Sequence, residues 1–597
     1  MNKKIFNKYA SLALAALTTG VMTTACTDWD DHYATDSQVV PTATKTIWQN
    51  MEERDDLSQF RTLISKVGMD TVLNKINSYT VWAPLNGTFN YDSICEMNDA
   101  KLLKQFVQNH IAQYSHSASG VVEKRIPFLN EKTKTFAGAG SSYSIAGVPI
   151  SVTNIACNNG FLHLTDGQIH YYANIYESLN KELSALYGVD SICDYFMKNH
   201  YRELDLSQST EGPTVNGERT YLDSVYYEYN PLFGRYNALI NVEDSSYAML
   251  LPTNEAWTNI KAQIMECYNY VPSIKFLDGS TSDVSADRTK NTKSTTELNA
   301  SLLRDSIAEM LIMSNLYYNS NLSYNRSLKE FQNGSSYITD SLMNTQRLKI
   351  YGEETTQLFE GAKRIDASNG SMFVVDELRI HPWRLWNPII RIEGENATIS
   401  YQDKITRAGR ERIGYGQQNP AVQGKVSGDA FLNITARAHS NPKIDIRLPN
   451  VRSTEYNIYV VLLPNNINNV LDTIPQKNSL QFVIGCNDES GNLAQWGFDE
   501  DDNTLVSIKA NKLASFFGYV AENDPTKVDT VHVGTFKFPI AYAGYANEGD
   551  IYPYLRIEDC TEKWTGKNTS DIRLDCILLV PTELEAYLKE NPEYKLD

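Results

Sequence analysis

One pattern occurs twice in this chain and limits the fold more than any other feature. A short apolar run closes on Pro-x-Asn, a helix-like stretch follows, and the unit ends on Asn-Gly with an alternating run to Asp. The first copy reads Thr80-Val81-Trp82-Ala83-Pro84-Leu85-Asn86-Gly87-Thr88-Phe89, then Leu102 to Ile111, then Asn159-Gly160 on to Asp166. The second reads Tyr247 to Leu251, Pro252-Thr253-Asn254-Glu255-Ala256-Trp257, then Leu302 to Tyr317, then Asn369-Gly370 on to Asp376. Proline has no N–H for a ladder and asparagine favours turns, so each Pro-x-Asn reads as a strand stop. Self-similarity of this kind is the mark of one supersecondary unit built twice. The second copy carries two long polar inserts, about Ser207–Thr220 and Asp278–Leu298, with the composition of mobile surface loops.

Ahead of the first strand, Leu57, Phe60, Leu63, Ile64, Val67 and Val72 fall on one helical face. Beyond His381-Pro382-Trp383 the period changes to two. Segments such as Lys443–Leu448, Tyr456–Leu463, Thr530–Phe538 and Leu574–Leu579 alternate between Asn, Asp, Gly and Pro turns, which predicts an all-β sandwich or jelly roll.

The motifs of the first copy, in this order, resemble those of the fasciclin (FAS1) family. Thr80 to Phe89 is similar to that family's first motif, Asn109-His110-Ile111 keeps the histidine of its second, and Asn159 to Asp166 follows its closing strand. The resemblance implies an α/β domain and a structural role for Thr80, Ala83, Pro84, Asn86, Phe89, His110, Asn159 and Gly160. It extends to Pro252, Thr253, Asn254, Asn369 and Gly370 in the second copy, where Asn315 stands in the place expected for the histidine. His110 is expected to tie its helix to the Asn86 turn, since a neutral imidazole both donates and accepts. His163, alternating along a strand, is expected to be half-buried. The closing segment from Tyr554 to Pro581 resembles the last strands of galactose-binding-like sandwiches.

Residues 1–25 read as a targeting segment. Lys3, Lys4 and Lys8 precede a short apolar run, and Thr23-Thr24-Ala25-Cys26 resembles a lipobox. That resemblance implies lipidation of Cys26 and anchoring to outer-membrane lipid, facing the cell exterior. Asp28, Asp30 and Asp31 behind it resemble the export signal of surface lipoproteins that accompany SusC/SusD-like nutrient transporters; the plain alternative is a solvated tether. A net charge of −18 argues against nucleic acid as a partner. The seven cysteines after Cys26 lack metal or disulfide spacing and read as free thiols.

No sequence motif for hydrolysis, nucleotide binding or metal catalysis occurs, so no catalytic residue is assigned and the chain is read as a non-enzyme. The paired acids Glu52-Glu53 and Asp55-Asp56 suit a helix start rather than acid–base work. Asp499, Asp501 and Asn503 begin like a calcium loop but lack its glycine and distal glutamate, leaving a solvated turn as the alternative. No other cofactor is expected. Trp496, Tyr545, Tyr552 and Trp564 lie in or beside predicted loops and are candidates for stacking on a sugar, with rim packing the alternative.

The expected fold class is thus α+β multidomain: a signal segment (1–25), a lipidated tether (26–45), two FAS1-like α/β domains (46–180 and 181–385) and a β-sandwich (391–597). Three functions fit this layout. The first is a surface binding or scaffolding protein serving a SusC/SusD-like uptake complex, with a glycan or peptide ligand. The second is an adhesin for matrix proteins or neighbouring cells. A surface glycan hydrolase ranks third.

Overall fold

The computed structural model describes residues 43–597 except 208, 214–218, 220, 224–225, 272, 278–291, 298–299, 333–340, 500–503, 510–511, 514–515, 545–552, 562–565, 595 and 597. The chain divides into two compact units. The first comprises residues up to Ser178 with Leu239–Ser246 and Asp366–Gly370; the second comprises Leu179–Ala238, Tyr247–Ile365 and Ser371–Asp597.

Among the described residues the first unit has a seven-stranded sheet. Its strands are β1 (Tyr79–Pro84), β2 (Ile111–Gln113), β3 (Val122–Pro127), β4 (Thr133–Ala139), β5 (Ser142–Ile145), β6 (Val148–Cys157) and β7 (Gly160–Thr165), in the order β2-β1-β7-β6-β5-β4-β3. β1 and β7 run parallel, Tyr79 opposite Gly160 and Pro84 opposite Thr165, while every other pair is antiparallel. All six residues of β1 are buried, because each face of the sheet has its own cover. Val81, Ala83, Leu162 and Leu164 join the helical core of Phe60, Leu63, Ile64 and Phe106. Trp82 joins Phe128, Phe136, Ile145 and Ile150 on the other side.

The leading helical stretch is broken into Asp55–Leu57, Ser58–Lys66 and Met69–Leu73, since Gly68 at φ +72° ends the turn. Leu57, Phe60, Leu63 and Ile64 are buried as the periodicity predicts, whereas Val67 and Val72 are only partly covered. Glu52 closes the preceding helix Ile47–Glu52 instead of starting one, and Glu53 pairs with Lys45. The second predicted helix begins at Asp99, passes through a wide-turn stretch at Leu102–Val107, and ends at His110; Ile111 belongs to β2.

Strand Tyr247–Pro252 lies between Tyr317–Asn319 and Gly370–Val375, with Lys363–Ala367 outside the latter. Paired strands flank the first predicted insert, Tyr201–Leu204 with Tyr226–Tyr229, and Thr292–Glu297 at the end of the second pairs with Ser273–Leu277 just before it. From Ile390 onward the described residues form two antiparallel sheets. One has Ile405–Arg412, Ala430–Ala436, Ile572–Pro581, Glu455–Leu462 and Asp529–Lys537 in that order, with Ile390–Glu393 added on Ile572–Pro581. The other runs Ile399–Asp403, Lys443–Arg447, Tyr554–Asp559, Ser479–Asn487, Leu493–Phe498, Leu505–Ser507. Ile444, Ile446, Leu555 and Ile557 of one sheet and Ile458, Val460, Leu574 and Ile577 of the other share a single apolar core. Among the described residues no helix is long and apolar enough to cross a membrane. The cysteines from Cys95 to Cys576 are free thiols, Cys95 and Cys560 being half-buried and the rest buried.

Candidate functional site

The repeated asparagines act as hubs that close the two copies. Asn86 accepts from Gln59 N (3.0 Å) and donates to Asp55 O (2.8 Å) and Ser58 Oγ (2.9 Å), so the strand stop is tied to the preceding helix. In the second copy Asn254 accepts from Ser191 N (3.0 Å) and donates to Asp190 (2.7 Å). Asn159 is buried; it accepts from Ile47 N and donates to Leu73 O and Lys75 O, all within 2.8 Å. Asn369 repeats this on Ile175 N (2.9 Å), Ile240 O (2.7 Å) and Val242 O (3.1 Å). The glycine after each has φ +135° or +145°, and a Cβ on Gly160 would lie 1.7 Å from Tyr79 O. Thr253 caps its helix from Ala256 N, Thr80 Oγ1 donates to Tyr114 O (2.8 Å), and Phe89 packs on Phe106. Ala83 and Pro84 are buried in β1, and Pro252 ends its own fully buried strand.

His110 does not reach the Asn86 turn. It is fully buried, Nδ1 donating to Phe106 O (2.7 Å) and Nε2 accepting from Ile169 N (2.9 Å), because the helix end points it at the chain leaving β7. Burial lowers its pKa to about 4. His163 is fully buried too, not half-buried: it stacks on Trp82 at 5.6 Å and bonds His116 O through Nε2 (2.9 Å). Burial likewise lowers it to about 4.

Strand register corrects the expected place of Asn315. Val81 faces Ile111 in the first copy and Met249 faces Tyr317 in the second, each five residues before its strand-stop asparagine. Leu316 therefore stands where His110 does, and Asn315 matches Asn109. Both of those asparagines accept from another one, Asn130 Nδ2 to Asn109 (3.0 Å) and Asn344 Nδ2 to Asn315 (2.6 Å).

A recess of about 690 Å³ in the first unit adjoins this network and is bordered by Tyr114, His116, Asn130, Glu131, Lys132, Glu177, Glu243 and Asp244. Tyr114 and Glu131 hold left-handed backbone (φ +64° and +66°), and the Tyr114 ring is exposed. At its base Lys132, 2 % exposed, donates to Glu177 (2.5 Å), Glu243 (2.6 Å) and Ser368 Oγ (3.3 Å). Glu177 also receives Lys104, Tyr171 and Asn174 N. The lysines and this backbone N–H outweigh burial and hold its carboxyl down at about 2. The buried charges at its base, Lys132, Glu177 and Glu243, are paired with one another.

The sugar-stacking candidate Trp496 lies within the strand Leu493–Phe498 rather than in a loop, half-buried, its ring 5.2 Å from Phe536. A strand position follows because Trp496 pairs with Ile484 and Ser507 on either side. Asp499 follows that strand, and its N–H bonds Thr504 O. Asp501, Asn503, Tyr545, Tyr552 and Trp564, and likewise Cys26, Asp28, Asp30 and Asp31, lie outside the described residues. Among the described residues no group of three or more His, Cys, Asp or Glu is placed to hold a metal ion. Sequence reasoning missed Asn109, Asn130, Asn344, Lys132, Glu177 and Glu243. Only the Asn109/Asn315 correspondence had a visible signal, a shared offset from the following strand.

Residues 55–169 match the Fasciclin domain family model, so the chain carries a fasciclin domain there. Transforming growth factor-beta-induced protein ig-h3 of Sus scrofa is 28% identical over 148 residues, 23% of this chain and 22% of that protein. The chain thus spans about a fifth of the length of this curated relative. Among solved structures, a FAS1 domain pair from the insect cell adhesion molecule Fasciclin I covers 55% of this chain and 98% of its own, at 14% identity and a TM-score of 0.19.

Proposed function

We propose, with the fasciclin domain at 55–169 as premise, that this chain is a surface-held binding or scaffolding protein without catalytic activity. In this reading residues 181–385 are a second fasciclin-like module and residues 391–597 a galactose-binding-like sandwich. Acylated Cys26 holds the assembly on outer-membrane lipid. Its role is that of an accessory component of a SusC/SusD-like uptake complex, presenting a glycan or peptide ligand. The observation that carries the reading is the fasciclin match, since fasciclin domains are linked to adhesion and surface binding. The repeated asparagine hubs support a second module of the same kind. The lipobox resemblance and the acidic residues behind Cys26 support the anchor and its outward orientation.

The test is a mild-detergent pulldown from outer membranes, with the wild-type chain and Cys26→Ser compared for membrane retention. Co-elution of a TonB-dependent porin and a SusD-like protein is expected. Elution alone sinks the uptake role and leaves adhesion as the use of the fasciclin domain. Release of polymer fragments by purified protein would overturn the non-catalytic reading.

A further inference from the structure

The recess of the first unit has walls whose backbone is fixed from within. Tyr114 keeps its left-handed conformation (φ +64°) because its N–H donates to Ser78 O (2.9 Å) and its C=O accepts from Thr80 Oγ1 (2.8 Å). The ring of this pinned residue stays 62 % exposed on the border of the recess. A second wall is the turn of residues 128–132, closed by Phe128 N on Lys132 O (2.9 Å), with Glu131 at φ +66°. Lys132 fastens that turn to Glu243 (2.6 Å), which belongs to residues 241–244 and so to a further part of the border. Two non-glycine residues in left-handed backbone at one recess are strain that these bonds hold in place.

On these walls hydrogen-bonding capacity is left over. Gln113, Glu131 and Asn241 border the recess, are exposed, and have side chains with no hydrogen-bond partner among the described residues. Singly this is ordinary for surface residues; their meeting at one recess beside a pinned aromatic ring selects a ligand. Charge excludes one class. Among the described residues Lys132 is the only lysine or arginine on the border, and Glu177 and Glu243 claim it. Arg125 lies against Asp244 (3.9 Å), so an anionic ligand would meet Glu131 with no free cation. A wholly apolar ligand would strip water from three polar side chains and return no bond. An ammonium or guanidinium would use acceptors alone and leave both amide NH₂ groups idle. A sugar hydroxyl donates and accepts at once, so it uses the amides of Gln113 and Asn241 together with the Glu131 carboxylate. A sugar ring also has an apolar C–H face, which a ring already held in place covers at little ordering cost. The volume, about 690 Å³, lies within the roughly 300–1,000 Å³ of small-molecule sites.

We propose that this recess is a carbohydrate site for a short stretch of neutral glycan, stacked on Tyr114 and hydrogen-bonded by Gln113, Glu131 and Asn241. The proposal rests on the surface-binding reading above and narrows its ligand to an uncharged sugar chain. It is tested by calorimetric titration of the full chain in mild detergent with maltotetraose, cellotetraose, mannotetraose and xylotetraose, in low and in high salt. Binding of at least one is expected, unchanged by salt. Tyr114→Asn removes the ring while tolerating left-handed backbone, and should weaken that binding about tenfold. Gln113→Ala and Asn241→Ala should each weaken it about threefold. Unchanged melting of these surface variants verifies that they fold. No binding of any of the four sugars overturns the proposal, as does sugar binding that Tyr114→Asn leaves at full strength. Binding of tetralysine in place of sugar, erased by high salt, overturns it in favour of a basic peptide. None of these results touches the uptake reading, because co-elution with a transporter does not depend on what occupies this recess.

Discussion

His110 and His163 sit where a proton would add a charge to a site with no water to solvate it. Both are lowered from about 6.5 to about 4, chiefly by burial. The unfolded chain therefore binds more protons between those values, so stability is full above pH 6.5 and falls as pH drops towards 4. For fully buried His110 the loss is on the order of 3 kcal/mol. Denaturant melts of the first unit at pH 7 and pH 4.5 should differ in this direction. His110→Leu imitates Leu316 of the second copy; it should cost about 1–3 kcal/mol at pH 7 through the lost bonds and flatten the acid limb. An acid limb unchanged in that variant would remove His110 as its source. Asp575 has the opposite sign. Burial, with Glu393 and Glu395 nearby, raises it to about 6, although Ser427 N bonds its Oδ1 at 3.0 Å. Its protonated form is the one folding favours, so its contribution is present below about pH 4 and lost as pH rises through 6. Asp575→Asn should abolish that decline, read as a flat Tm of the second unit over the interval.

At the scale of elements, the parallel pairing of β1 with β7 rests on two neighbouring residues. Asn159 ties Ile47, Leu73 and Lys75 together, and Gly160 lets the strand approach Tyr79 O. Asn159→Ala leaves one donor and two acceptors unpaired and should cost about 3 kcal/mol. Gly160→Ala should be worse, because left-handed backbone and a contact with main-chain oxygen leave nothing to yield. Equal melting of Gly160→Ala and wild type would contradict the close approach. These elements were legible in the sequence because a strand stop and an Asn-Gly start are local signals repeated at matching places. His110 was recognised as structural, but its partners were not, since which carbonyl it meets depends on how the helix end packs. Asn109 and Asn130 bond across 21 residues with no spacing rule. A lysine in the sequence reads as solvated, so nothing local marked Lys132 as buried. Trp496 looked like a loop residue because glycine and acids follow it, yet pairing on both sides keeps it in the sheet.

On the scale of the whole molecule, Lys132 binds remote parts of the chain into one unit. Lys132→Met would leave Glu243 without its cation and Glu177 with Lys104 alone, and should cost about 3 kcal/mol. Adding Glu177→Gln and Glu243→Gln should return much of that, since the unpaired charge rather than the lost bond is the larger penalty. If the triple variant melts no higher than the single one, the network is not held by charge pairing. The same geometry bears on the order of events during synthesis. Domains generally form N-terminal first as the chain emerges, but here Lys132 receives Glu243 and Ser368 only after more than a hundred, and then more than two hundred, further residues have been made. Until then the first unit is a nascent body with a cation partly unclaimed, so a ribosome stalled after Ser178 should present a protease-sensitive domain that a finished chain does not.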